Sequence, residues 1–354
     1  MIERNDLKAA VGAGIVTEAQ AASLASLADS RRGARENLAP GDEPFELFKG
    51  FNEIFIVIGL LILTAGWSGV SAFSYAGDIT NPQQAAIRFG LSGAAALWLL
   101  SEYFVRRRRM VAPAIALSIL FAINAALSLT LYFAEPFMVA QEDYGSLPFP
   151  FILGTLAVFV YWFRFRVPFA MAMIAVGVFI VAVLVAANSS GTPQSPSDLF
   201  LFSAGGPFAW ITLVVGMAVF AVAMAFDMSD PHRVTRRSAN GFWLHVVAAP
   251  ALVNTVALSL LDQDTNAANM TLLAFLALFA VVAIVIDRRS FLIAAIGYIV
   301  ALAATVFDGD GAAATILTLG IILLLLGAFW EKIRAKLLGI MPRFVPLHRL
   351  PPSV

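Results

Sequence analysis

Apolar residues in this chain are gathered into long runs rather than alternating with polar ones, and a helix needs about 20 such residues to cross the hydrocarbon layer of a bilayer. Ten runs stand out, at residues 54–73, 85–105, 111–133, 147–163, 168–187, 207–226, 242–261, 270–286, 291–307 and 312–330. Lipid offers the backbone no hydrogen-bond partners, so each run has to satisfy its own groups as a helix. A β-barrel would instead show segments of about 10 residues alternating in polarity, a pattern the sequence lacks. The pattern predicts an all-α polytopic membrane protein with ten transmembrane helices. Three parts follow from it: a helical module and linker at 1–44, the membrane domain at 45–330 and an amphipathic tail at 331–354.

Composition agrees with that environment. The chain is 60% hydrophobic and 13% charged, whereas a soluble domain holds roughly 45–50% apolar and about 25% charged residues. Net charge is zero, so nothing draws the chain as a whole toward nucleic acid. Cysteine is absent, which excludes disulfides, a thiolate nucleophile and Cys-ligated metal.

The distribution of charge predicts the orientation, because cytoplasmic loops keep Lys and Arg. With the N-terminus inside, all but one of the 23 basic residues fall on cytoplasmic segments, the exception being Arg88. Adding or removing one span destroys this alternation, so both termini are expected in the cytoplasm of a bacterial inner membrane. Arg106, Arg107, Arg108 and Arg109, with Arg288 and Arg289, read as topology anchors that touch anionic lipid headgroups.

The ends differ in kind from the spans. "NDLKAAVGAGIVTEAQAASLASLADS" predicts two short helices: Gly12 and Gly14 end the first, and Thr17 with Gln20 forms a capping box that starts the second. Such a pair is too small to hold its own core and is expected to pack on a partner, on a second copy in a homo-oligomer, or on the membrane domain. At the other end Trp330, Ile333, Leu337 and Ile340 fall on one side of a helix, with Glu331, Lys332, Arg334 and Lys336 on the others. That pattern suits the inner-leaflet interface. The Ser-, Gly- and Pro-rich "NSSGTPQSPSDLFLFSAGG" reads as a flexible connector.

Polar residues within spans mark helix contacts or pathways. Asn124 and Asn254 both fall near mid-depth of their runs and could meet, either as an interhelical hydrogen bond or as the lining of a solute cavity. His245 lies about three residues inside the cytoplasmic end of its run, where a side chain reaches headgroups or water. At about 100° per residue it points away from Asn254. Pro250 between them is expected to kink the helix. Small residues at Ala86, Gly90 and Ala94, and at Gly297, Ala301 and Thr305, have the spacing of close helix packing.

No HExxH, GxSxG, Walker loop or GxGxxG occurs, and His232, His245 and His348 are too dispersed for a metal site. No catalytic residue, metal or cofactor is therefore assigned. Asp262 with Asp264, and Asp308 with Asp310, read as short loops or as carboxylate pairs able to hold a divalent ion and a sugar phosphate.

"FNEIFIVIG" at the first run, "FWLHVVAAPALVN" at the seventh, and "LLLLGAFWEKIRAKLLGIMP" with the terminal "RLPP" together resemble a family of uncharacterised bacterial multi-pass membrane proteins. The likeness covers most of the chain from residue 45 on. It implies the fold class but carries no activity. Where such family members often place a His after Ala-Ala-Pro, this chain has Asn254. Three functions are expected from the residues: a small-solute transporter or exporter, a membrane scaffold or sensor acting through its cytoplasmic ends, and, on the Asp pairs alone, an outside-facing lipid-linked glycosyltransferase.

Overall fold

A computed structural model describes residues 4–30, 51–77, 82–135, 138–141, 143–233, 235–263, 265–288, 310–342 and 346–352. Their regular structure is helical: α1 (Arg4–Gly12), α2 (Glu18–Ser30), α3 (Phe51–Gly77), α4 (Pro82–Ser101), α5 (Ala112–Phe133), α6 (Met138–Gln141), α7 (Pro148–Phe165), α8 (Phe169–Ser190), α9 (Phe208–Met228), α10 (Arg236–Leu261), α11 (Asn266–Ile286) and α12 (Asp310–Ile340). Seven of these, α3, α5 and α7 to α11, are long and apolar enough to cross a membrane. In α4 the opening Gln83 and Gln84, with Arg88, dilute the apolar run. The run expected at 291–307 lies outside the described residues, as do the linker before residue 51, Arg289, Asp264 and Asp308.

The chain divides into two units. One, residues 44–196 with 206–211, holds α3 to α8. Its core is aromatic and aliphatic: Leu117, Phe121, Val158, Tyr161 and Phe165 are buried. Tyr161 stacks on Phe121 with ring centroids 4.8 Å apart, and Trp98 meets Phe165 edge-on at 4.9 Å. The phenol oxygen of Tyr161 finds Ser101 Oγ at 2.8 Å, so its polar tip is satisfied inside the core.

Small residues let the helices of this unit approach closely. A Cβ on Gly90 of α4 would lie 2.5 Å from Ser128 Cβ on α5, and one on Gly93 2.5 Å from Asn124 Oδ1. Past α4 a π-helical turn (Glu102–Arg107) widens the coil, and Arg109 at φ 53° reverses the chain. The next helix is then capped from a distance: Glu53 of α3, 4% exposed, accepts from the backbone N–H of Val111 and Ala112 at 3.3 and 3.0 Å. A carboxylate there complements both the free N–H groups and the helix dipole.

The second unit spans residues 1–43, 197–205 and 212–354. In α2 the capping box forms reciprocally, Thr17 N–H to Gln20 Oε1 at 2.9 Å and Gln20 N–H to Thr17 Oγ1 at 3.2 Å. The connector before α9 was expected to be flexible, but it is stitched down through two 3₁₀ turns, Pro196–Leu199 and Phe202–Ala204. Ser259 Oγ of α10 donates to Phe200 O and accepts from Phe202 N–H, and Ser203 Oγ donates to Asp262. These bonds replace the water that a loose Ser/Pro segment would need. Helix α10 runs without a break through Pro250, so the expected kink does not interrupt the helix. Gly216 of α9 faces Ala251 and Leu252 at 3.0 to 3.4 Å from where a Cβ would be, which draws α9 and α10 together. Helix α12 does bend, at Phe329 (φ −114°, ψ 20°), where its apolar stretch gives way to the amphipathic end.

Candidate functional site: a buried charge cluster

The close approach of α9 and α10 recurs one end further on, and there it encloses charge. Gly241 of α10 packs directly against Asp227 in the last turn of α9, with Ala223 O 3.2 Å from where a Cβ would be. One helical turn later His245, 0% exposed, places Nε2 2.9 Å from Asp227 Oδ2. Just past α11, Arg288, 1% exposed, closes the other side. Its Nε donates to Asp227 Oδ2 at 2.9 Å, and its Nη2 donates to Asp227 Oδ1 at 2.5 Å and to Ser238 O at 3.0 Å. The fork geometry of guanidinium suits a bidentate clasp on carboxylate. Burial pushes Arg288 down to about 9, which leaves it charged at neutral pH. Phe220 of α9 covers the imidazole edge-on, 5.5 Å between centroids.

A second layer of charge adjoins the first. Asp287 ends α11 in the left-handed conformation at φ 58°. It takes Arg233 Nη1 at 3.1 Å on its carboxylate and Arg233 Nη2 at 2.7 Å on its carbonyl. Its other carboxylate oxygen accepts from Trp330 Nε1 of α12 at 2.7 Å. Asp230 accepts from Thr235 N–H and Oγ1 at 2.8 and 2.7 Å, fixing Thr235 as the N-cap of α10.

Arg334 was expected on a polar face of the tail helix; it is instead 3% exposed. Its guanidinium reaches the carbonyls of Ile284 and Val285 in the last turn of α11 and those of Pro351 and Pro352 near the chain end. Cationic donors at a helix C-terminus satisfy its free carbonyls and its dipole. Burial lowers its affinity for its proton, and the charge of Asp287 opposes that.

The residues expected from sequence are thus placed as follows. His245 does not reach headgroups or water; it is enclosed, because Asp227 and Arg288 offer it a polar partner inside the fold. Arg288 is not at the lipid surface but holds that same carboxylate. Asn124 donates Nδ2 to Gly90 O across α4 and α5 at 3.1 Å. Asn254 is half-buried and Pro250 exposed on α10. Arg106, Arg107, Arg108 and Arg109 are exposed; Arg106 pairs with Glu102, which also takes Arg164, and Arg108 lies over the Tyr103 ring. Asp262 is engaged by Ser203.

Asp227, Asp230 and Asp287 were not singled out by sequence. Asp227 falls one residue beyond its apolar run and reads as an ordinary loop acid. The available signal was His245 itself: an imidazole in an apolar run needs a partner, and the nearest acids on the same membrane side are these. Comparison with protein-family models, with curated proteins and with solved structures returned no match to this chain.

Proposed function

We propose that this chain is a small-solute transporter or exporter of a bacterial inner membrane, with ten transmembrane helices and both termini in the cytoplasm. The observation that carries the reading is the Asp227–His245–Arg288 cluster. Ionisable groups at the edge of a span are costly there and mark ion or solute pathways by default. The cluster supplies buried charge of the kind a coupled carrier uses. Ten spans divide as five and five, the plan of many carriers built from inverted repeats. With both termini inside, the cluster lies on the cytoplasmic side, and the exposed Arg106, Arg107, Arg108 and Arg109 meet anionic headgroups. The family resemblance carried by "FWLHVVAAPALVN" and the "RLPP" end fits a multi-pass membrane protein and carries no activity.

A scaffold or sensor acting through the cytoplasmic ends is the second reading, favoured by the anchoring of Pro351 and Pro352 on Arg334. Two experiments test the proposal. The absence of cysteine makes single-cysteine mapping clean: in intact cells an impermeant maleimide should label Ser195→Cys but not Ser229→Cys, and the reverse pattern overturns the orientation. In proteoliposomes a panel of labelled small solutes should show counterflow that Asn254→Leu reduces. Counterflow equal to that of empty vesicles across the panel counts against transport and in favour of the scaffold.

A further inference from the structure

The unit of α3 to α8 carries an excess of positive charge at one end. Past α4 the π-helical turn and the reversal after it set out Arg106, Arg107, Arg108 and Arg109 in a row. Past α7 the chain reverses again at Arg166, φ 54°, with Arg164 in the turn before it. All six side chains are exposed. Glu102 joins the two turns, taking Arg164 Nη2 at 2.7 Å on one oxygen and Arg106 Nη1 at 3.1 Å on the other. Among the described residues the second carboxylate of this end is Glu53, which is buried and committed to the N–H groups of Val111 and Ala112. Six guanidinium groups thus stand against two carboxylates, of which one is shut away from the surface.

Apolar groups face outward beside this charge. Arg166 Cζ lies 4.9 Å from the ring centroid of Trp162 and 4.6 Å from that of Phe163, and Arg108 Cζ lies 5.6 Å from that of Tyr103. Tyr103 and Phe163 are exposed, and so are Leu99 and Phe159, each one helical turn before them. A guanidinium over a ring face still presents N–H donors in its own plane, in the fork that matches phosphate. Tyr and Trp at the end of a span belong to the headgroup level of a bilayer, and α7 is one of the helices able to cross it.

We infer that the ends of α4 and α7 form a binding site for one anionic phospholipid. Arginines of both turns take its phosphate, and its acyl chains lie along the outward faces of Leu99 with Tyr103 and of Phe159 with Phe163. The site narrows the headgroup contact proposed above to a single retained lipid, and it rests on that contact and on the membrane setting of α7 but not on transport. Glu102 already gathers a guanidinium from each turn around one anion, which keeps the turns close enough to share a headgroup. Basic pockets between spans hold anionic headgroups in this way. A free phosphate would answer the guanidinium groups alone and leave the apolar faces without a partner. A lipid answers both, and ties the turn after α4 to the end of α7 from outside.

Native mass spectrometry of the full chain, stripped of lipid in detergent, tests the site with three probes: phosphatidylglycerol, phosphatidylcholine with the same acyl chains, and inorganic phosphate. One phosphatidylglycerol per chain should be retained, with the other two retained roughly tenfold less or weaker. Arg107→Gln with Arg166→Gln should lower that retention about fivefold for each arginine removed. Arg236→Gln with Arg237→Gln, exposed arginines of the other unit, should leave it unchanged. The replaced side chains are all exposed, and unaltered thermal unfolding in lipid-free detergent checks that both variants fold. Equal retention of the two lipids overturns the site together with the headgroup contact. Inorganic phosphate that binds as well and displaces the phosphatidylglycerol overturns a lipid as the ligand. Equal loss in the two double variants overturns the site while sparing a diffuse headgroup contact. The transport reading is decided separately, by counterflow.

Discussion

The two units solve the same problem, joining apolar helices side by side, with opposite chemistry. In the unit of α3 to α8 the centre is a ring cluster, Trp98, Phe121, Tyr161 and Phe165. Its polar contacts are mostly between neutral groups: Tyr161 meets Ser101, Asn124 donates to Gly90 O, and Glu53 accepts from two backbone N–H groups. In the unit containing α9 to α12 one end is held by charge drawn from four separate segments. Ring packing tolerates small shifts, since dispersion is spread over many weak contacts. A paired buried charge does not, because a lost partner leaves an ion in a medium that solvates it poorly. The first unit is built to absorb small changes; the second depends on each charge keeping its partner.

The largest break in this comparison comes from Arg288→Met. Taking the guanidinium from buried Asp227, which then keeps His245, should cost about 3–5 kcal/mol, whereas Asp227→Leu combined with Arg288→Met should recover most of that loss. Thermal unfolding in detergent measures both, and a double variant no better than the single one would argue that the pair is not the seat of the effect. Gly241→Ala comes next. Its Cβ would run into Asp227 and close on Ala223 O, so α9 and α10 must separate, at about 1–3 kcal/mol. In the aromatic unit Tyr161→Phe removes one hydrogen bond and keeps the ring, and Ser101 keeps its bond to Leu97 O. The expected loss is about 1 kcal/mol. A loss as large as that from Arg288→Met would erase the contrast between the units.

What sequence reading could and could not reach follows the same divide. Helix positions were legible because they depend on local hydropathy: the runs at 111–133 and 168–187 fall on α5 and α8. The Thr17–Gln20 capping box was legible because it is complete within four residues. The bond from Asn124 to Gly90 O was not legible, since the sequence offered Asn254 as a partner and a backbone carbonyl carries no signal of its own. The cluster was not legible, since Asp227, His245 and Arg288 are brought together by a helix crossing that depends on Gly216 and Gly241, and no hydropathy window reports a crossing. Arg288 and Arg334 looked like flanking charges because flank and site coincide at that end of the helices. Arg334 is drawn in by the carbonyls that end α11, and Arg288 by the carboxylate of Asp227.

The most direct test of the account is the water accessibility of α10 beyond the cluster. Asn254→Cys, in a chain otherwise free of cysteine, can be exposed to a small water-soluble methanethiosulfonate in sealed vesicles, with labelling after denaturation as the full-reaction control. At one fixed pH, a solute pathway through the spans predicts modification of the folded protein at a measurable fraction of the denatured rate, because water then reaches mid-depth of α10. A cysteine that stays unreactive in the folded protein at that pH, yet reacts fully once denatured, would contradict the account.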